Sequence, residues 1–451
     1  MRKRARRRSV IVVAVTAVVI VLGVLGFRVL NPGPMAFAGG STVALAEYHA
    51  ADPTGAPADL ATADAVTRGA FLARAADCVA CHTAPGGGQY AGGLAIRLPF
   101  GTLYSTNITP DKETGIGDYS DQDFLNAVQR GVRRDGKHLY PAMPYTSYAS
   151  MTDADALAIK AYLFSLKPVH AAAPANTLGF PYDQRWAMGI WSAFFVADAR
   201  FTPNTAESAA WNRGAYLAEA LAHCGECHTP RNIAFALDNR KKFAGAVTAG
   251  WRAFDITADK GAGIGAWSDE ELAAYLASGH AGGRGTAAGP MGEAVDRSLS
   301  ALPPSDIGAL VAYLRSVPAL PSSDLPATLA PPAPPSPKDG PETADARGKR
   351  VFEGACVSCH SWTGISALTP YATIAGTRAV NDATATNVTQ IVISGTRRQT
   401  PPGVLSMPAF GGIYSDDEIA AVANYVTARF GSAPSSVTPK EVAELRRETT
   451  R

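Results

Sequence analysis

The rhythm of apolar and polar residues changes several times along the chain. Val10–Phe27 is a run of 18 residues without a charge, long enough to predict one N-terminal transmembrane helix. Further on, apolar positions fall at helical spacing in three separated pairs of segments. Each pair opens with a helix carrying a glycine and an aromatic: Gly69 with Phe71, Gly214 with Tyr216, Gly348 with Phe352. Each closes with an amphipathic helix bearing a tyrosine: Ala154–Leu166 with Tyr162, Asp306–Val317 with Tyr313, Asp417–Phe430 with Tyr425. A glycine facing an aromatic lets the first and last helices of a unit cross closely. Ser120 with Asp123, Ser268 with Glu271 and Ser415 with Glu418 have capping-box spacing. Alternating strand patterns are scarce, so the pattern predicts a mainly α fold with long loops.

These pairs divide the chain into helical units at 62–168, 206–317 and 342–433. Between the first two, residues 169–205 carry PYDQRWAMGIWSAFF, with Trp186, Ile190, Trp191, Phe194 and Phe195 close together. That stretch reads as a connector packed on its neighbours, or more sharply as a surface for a partner subunit, the bilayer or a quinone. Residues 318–341 are proline-rich, a semi-extended linker that lets the third unit sit apart or swing between partners. Residues 434–451 read as a charged tail.

Charge changes the picture only at the N-terminus. The formal net charge is +2, yet Arg2, Lys3, Arg4, Arg6, Arg7 and Arg8 all precede the apolar run. Residues 1–38 therefore read as a basic end and a membrane anchor. Ala36-Phe37-Ala38 offers a cleavage site, so a signal peptide is the alternative. Both readings keep the basic end in the cytoplasm and export the rest, which places the protein at the periplasmic side of the inner membrane. Basic residues are not spread over a face with interleaved aromatics, which excludes nucleic acid as a partner.

All six cysteines fall in three copies of C-x-x-C-H: Cys78/Cys81/His82, Cys224/Cys227/His228 and Cys356/Cys359/His360. Two thiols at this spacing can add to the two vinyl groups of one porphyrin, and the adjacent histidine then reaches the iron. A single C-x-x-C would leave a redox pair, a zinc site or a disulfide framework open. Three copies with no cysteine left over point instead to three haem c groups. Their compartment must be outside the cytoplasm.

A second axial ligand is marked by repetition. NITPDKETGIGDYSD (107–121) recurs as DITADKGAGIGAWSD (255–269), 148 positions on, and the same step takes Met143 to Met291. Gly131 precedes Met143 by 12 residues, Gly279 precedes Met291 by 12, and Gly395 precedes Met407 by 12. Met151 and Met188 stand outside this register and read as packing residues. The rival ligand is histidine. None follows His360, and His138 and His280 are not equivalent positions. His/Met ligation is expected, which favours ferrous iron and raises the potential. With both axial positions filled, no substrate-binding iron and no catalytic residue is expected; an iron that had lost its distal ligand would make the chain an enzyme itself.

In the order of these elements the chain resembles the three-haem cytochrome c subunit of bacterial membrane-bound dehydrogenases of the alcohol, gluconate and sorbitol type. The resemblance covers roughly residues 62–433. It rests on YSTNITPDKETGIG (104–117), LYPAMPY (139–145), WNRGAYL with HCGECHTPR (211–231), GIGAWSDEEL (263–272) and AGPM (288–291). It implies electron transfer from a separate catalytic dehydrogenase subunit, acting on CH–OH donors, through the haems to ubiquinone in the membrane. Carried over, the ligand pairs are His82 with Met143, His228 with Met291, and His360 with Met407. Asp255 departs from the asparagine expected there, which bears on local haem contacts. A similar cytochrome also accompanies molybdopterin aldehyde dehydrogenases, and a tethered carrier feeding a terminal oxidase is a further alternative.

Overall fold

The computed structural model describes residues 2–30, 41–44, 57, 60, 62–197, 199–320, 346–400 and 403–449. Helix α1 spans Arg2–Leu30. The first unit holds α2 (Ala65–Ala75), α3 (Cys78–Cys81), α4 (Asp121–Arg130), α5 (Tyr145–Tyr148) and α6 (Asp153–Ser165). The connector forms α7 (Ala187–Phe195). The second unit holds α8 (Ala209–Tyr216), α9 (Gly225–His228), α10 (Asp269–Ser278), α11 (Gly289–Arg297) and α12 (Pro304–Ser316). The third holds α13 (Ala346–Ala355), α14 (Val357–His360), α15 (Thr386–Ser394) and α16 (Asp416–Phe430), and α17 (Pro439–Thr449) follows. Among the described residues, strands form only short antiparallel two-stranded ribbons. The expected mainly α fold is the one observed.

The helix crossings follow from the glycines. A Cβ on Gly69 would lie 1.8 Å from the Ala158 carbonyl oxygen, and one on Gly348 would lie 2.2 Å from that of Ala421. The backbones of α2 and α6, and of α13 and α16, thus touch where only glycine fits. α8 crosses α12 in the same way. Its glycine stands ten residues before the first cysteine, against nine in the first unit. A π-helical turn at Leu217–Leu221 takes up the extra residue. All three capping boxes form, at Ser120/Asp123, Ser268/Glu271 and Ser415/Glu418.

The first two units share one hydrophobic core, which includes Leu72, Met151, Leu163, Leu217, Val295 and Leu310. Polar contacts reinforce it: Tyr216 donates to Asp155 at 2.7 Å, and Tyr148 donates to the Ala76 carbonyl at 2.9 Å. The connector is locked in by Arg200, fully buried, which bonds Asp153, Gln129 and the Ala149 carbonyl. Its helix α7 turns Trp191 inward, donating to the Ala234 carbonyl at 2.8 Å, but leaves Trp186, Ile190 and Phe194 exposed.

The third unit has its own core around Phe352, Ile419, Tyr425 and Phe430. It does not sit apart, contrary to the expectation from its linker. Arg252 of the second unit pairs with Asp382 of the third, both buried, and Arg398 pairs with Asp296 at 2.8 Å. Gln390 donates to the Gly250 carbonyl at 3.0 Å. Ion pairs removed from water hold only when well matched, and losing one partner costs about 3–5 kcal/mol. The linker itself, beyond Leu320, lies outside the described residues, as does Ala36–Ala38. The expected charged tail is also docked: α17 buries Val442, and Arg446 pairs with Asp416 at 2.7 Å.

Among the described residues no helix is long and apolar enough to cross a membrane. In α1 the described side chains run from residue 12 to residue 26, and Val12 through Leu25 are exposed. The transmembrane span expected at Val10–Phe27 is therefore not met within them.

Candidate functional site

Each C-x-x-C-H lies on or beside a single helical turn, α3, α9 or α14. Residues three apart face the same side of such a turn, so the two thiols of a pair share one face. No disulfide joins any of the six cysteines. Burial pushes the Cys78 and Cys224 thiols up to about 12 and the Cys356 thiol up to about 11. Redox-active pairs of the thioredoxin kind depend on a depressed thiol pKa, the opposite direction to that of Cys78, Cys224 and Cys356. Nor, among the described residues, do three or more His, Cys, Asp or Glu side chains gather to hold a bare metal ion.

The histidines carry the most specific geometry. His82 Nδ1 lies 2.6 Å from the Thr106 carbonyl oxygen, His228 Nδ1 lies 2.6 Å from that of Phe254, and His360 Nδ1 lies 2.7 Å from that of Ala372. A carbonyl can only accept, so Nδ1 carries the proton in all three and Nε2 keeps its lone pair. Burial pushes all three below the usual imidazole range, which favours the neutral, ligating form. This is how metal-ligating histidines are oriented from behind. Paired thiols on one face, beside an imidazole with its lone pair exposed at Nε2, fit a covalently attached haem.

Glycine ends the helix that leads toward each register methionine. Gly131 and Gly279 cap α4 and α10 in the left-handed region, with φ of 64° and 71°, and Gly395 caps α15 with φ of 65°. The methionines then sit in three different local structures. Met143 lies in a turn before α5, Met291 in the first turn of α11, and Met407 at the end of the ribbon Thr396–Thr400/Gly403–Met407, opposite Thr396. All three are half-buried. Met143 and Met291 pack on the core shared by the first two units, as do Cys78 and Cys224, and Met407 packs with Cys356 on the third. Met151 is fully buried among apolar residues. His280 is engaged by Thr286 at 2.9 Å and lies against Tyr371, while His138 abuts Gly189 of α7.

The Asp255 departure has a local consequence. Asn107 donates to Thr114 and to the Val169 carbonyl, at 3.0 and 2.7 Å, and accepts from Thr109. Asp255 accepts from Thr257 at 2.7 Å, but its Oδ2 is buried without a partner and burial raises its pKa. The carbonyls behind the histidines escaped sequence reasoning. Thr106 and Phe254 stand 148 residues apart, so the repeat register contained the signal for two of them.

The comparisons with known proteins agree with this chemistry. The family model Cytochrome c matches residues 66–167 and 346–429. The chain is 39% identical to the fructose dehydrogenase cytochrome subunit of Gluconobacter japonicus, over 88% of this chain and 85% of that protein. It is 39% identical to the gluconate 2-dehydrogenase cytochrome c subunit of Pantoea cypripedii, over 85% of this chain and 90% of that one. It is 42% identical to one of the nicotinate dehydrogenase subunits of Pseudomonas putida over 81% of its own length, but it spans 30% of that larger protein.

Proposed function

This chain belongs to the cytochrome c subunits of dehydrogenases, and from that premise we propose that it binds three covalent haems and passes electrons from a catalytic subunit to ubiquinone. A haem supplies a one-electron ferric/ferrous couple. The chain's part is to attach, orient and insulate it. Cys78 and Cys81, Cys224 and Cys227, and Cys356 and Cys359 form the thioether bonds. His82, His228 and His360 ligate through Nε2, each aimed by a proton on Nδ1. Met143, Met291 and Met407 supply the opposite ligands, supported by their common spacing from a helix-ending glycine. The observation that carries the reading is the triple Nδ1–carbonyl arrangement, which fixes one tautomer at three separate motifs.

The donor is a catalytic dehydrogenase subunit, and relatives named for fructose and gluconate support a CH–OH substrate. A second reading makes the catalytic partner a molybdopterin aldehyde dehydrogenase, and the relative named for nicotinate supports a donor other than a CH–OH substrate. Co-purification in mild detergent separates the two by the cofactor of the large subunit. Anchoring of α1 in the inner membrane, with the haem units in the periplasm, is supported by the apolar side chains exposed from Val12 to Leu25. They find no cover within the described chain.

The test is a denaturing mass spectrum of the protein matured in a periplasm. Three covalent haem additions are expected, and two or fewer in a fully matured chain refute the reading.

A further inference from the structure

The third unit meets the second directly behind an axial histidine. His228 donates its Nδ1–H to the Phe254 carbonyl, and Arg378 of the third unit lies over the Phe254 ring, 4.8 Å from its centroid. Arg378 Nη2 donates to the next carbonyl, that of Asp255, at 3.1 Å, and its backbone N–H donates to the Arg284 carbonyl at 2.9 Å. The side chain is thus held at both ends. Among the described residues it forms no ion pair. The nearby Asp255 carboxyl attracts it, but burial disfavours that carboxyl's ionised form, and Asp382 is matched to Arg252. Burial brings the guanidinium down to about 10, so it is still charged at neutral pH.

Among the described residues, no buried arginine lies in hydrogen-bond or ring contact with the residues that follow the carbonyls behind His82 and His360 in the contacts seen for them. Asn107, which follows the carbonyl behind His82, bonds Thr109, Thr114 and Val169. The Ala372 carbonyl behind His360 is engaged by the histidine. A buried cation without an ion pair of its own, one residue removed from an iron ligand in the contact chain His228–Phe254–Arg378, acts on that iron with little screening. Its sign favours the added electron.

Resting on the three-haem reading above, we propose that Arg378 is a positioning residue of the third unit that raises the reduction potential of the haem attached at His228. Docking of the third unit thereby makes the second site a stronger electron acceptor. The interface is part of the electron path's energetics as well as its mechanical support.

Spectroelectrochemical titration of the full, haem-loaded chain tests this with Arg378→Gln and Arg378→Lys. The glutamine variant is expected to move one of three one-electron waves to lower potential, by about tenfold in its equilibrium constant, or about 59 mV for a one-electron couple. Lysine is expected to restore most of the shift, and the wave that moves is the one that also moves in Met291→His. Denaturing mass spectrometry of each variant counts its haems. A three-haem glutamine variant whose waves stay put, or all move together, overturns the proposal, as does a shift that lysine leaves unreversed. Fewer than three haems in the unaltered chain would instead strike the reading on which the proposal rests.

Discussion

Thr146 donates its hydroxyl to Glu226 Oε1 at 2.7 Å, so a carboxylate inside the second attachment motif holds the turn that follows Met143 in the first unit. Ser147 adds a bond to the same oxygen at 3.2 Å, and Arg231 takes the other at 2.5 Å. The two units are joined here by chemistry as well as by their common core. Glu226 sits between Cys224 and Cys227, so whatever fixes it fixes that attachment turn too.

Replacing Glu226 by alanine leaves two hydroxyls and one guanidinium without their acceptor. Each lost bond to a charged group is worth about 1.5–3 kcal/mol, and Arg231 recovers part of its share from water. A loss of about 2–4 kcal/mol is expected in denaturant unfolding of the full chain, with Glu226→Gln costing less. An unchanged midpoint for the alanine variant would show that the bridge contributes nothing.

Two glycines on the α8/α12 crossing should respond in opposite directions. A Cβ on Gly214 would fall 1.9 Å from the Ala309 carbonyl oxygen, whereas one on Gly308 meets nothing within 4 Å. Gly214→Ala must force the helices apart and is expected to cost about 3 kcal/mol, the upper end for overpacking. Gly308→Ala should stabilise by about 0.5–1 kcal/mol, because alanine is the better helix former. Equal thermal shifts in the two variants would contradict the crossing.

Met407→His should keep the third haem low-spin while lowering its potential, since imidazole accepts electron density less well than a thioether. The readout is a potentiometric titration followed in the visible bands. Three unaltered waves would remove Met407 from the ligand set.

Asp77, just before Cys78, has its Oδ1 buried without a partner. Burial, with Glu293 adding and Arg297 opposing, raises its carboxyl from an ordinary 3.8 to about 8. Between those values the folded chain binds a proton that the unfolded chain has released, so stability falls as pH rises through that window. Asp77 is in the left-handed region, φ 50°, which asparagine tolerates. Asp77→Asn should therefore lose less stability than the parent between pH 5 and pH 9, measured by unfolding midpoints. Parallel losses in the two proteins would rule this carboxyl out as the cause.

The sequence by itself determined what depends on spacing along one segment of chain. Attachment motifs, capping boxes, helix-ending glycines and the 148-residue repeat are local patterns, and the capping boxes and helix-ending glycines form as expected, whereas the transmembrane span expected at Val10–Phe27 is not met among the described residues. The crossing glycines were legible too, because a missing side chain beside an opposing helix leaves one simple packing solution. Tertiary structure decided the rest. Linker composition at 318–341 sets reach but cannot specify contacts, so the docking of the third unit through Arg252 and Asp382, 130 residues apart, was invisible. Local pattern could not tell Trp191, turned inward, from Trp186, exposed at the start of the same helix. The carbonyls behind the histidines and the cation at Arg378 belong to the same class. A hydrogen bond or a buried charge is set by which distant backbones the fold brings together; the 148-residue repeat hints that Thr106 and Phe254 are equivalent, but not that their carbonyls face a histidine.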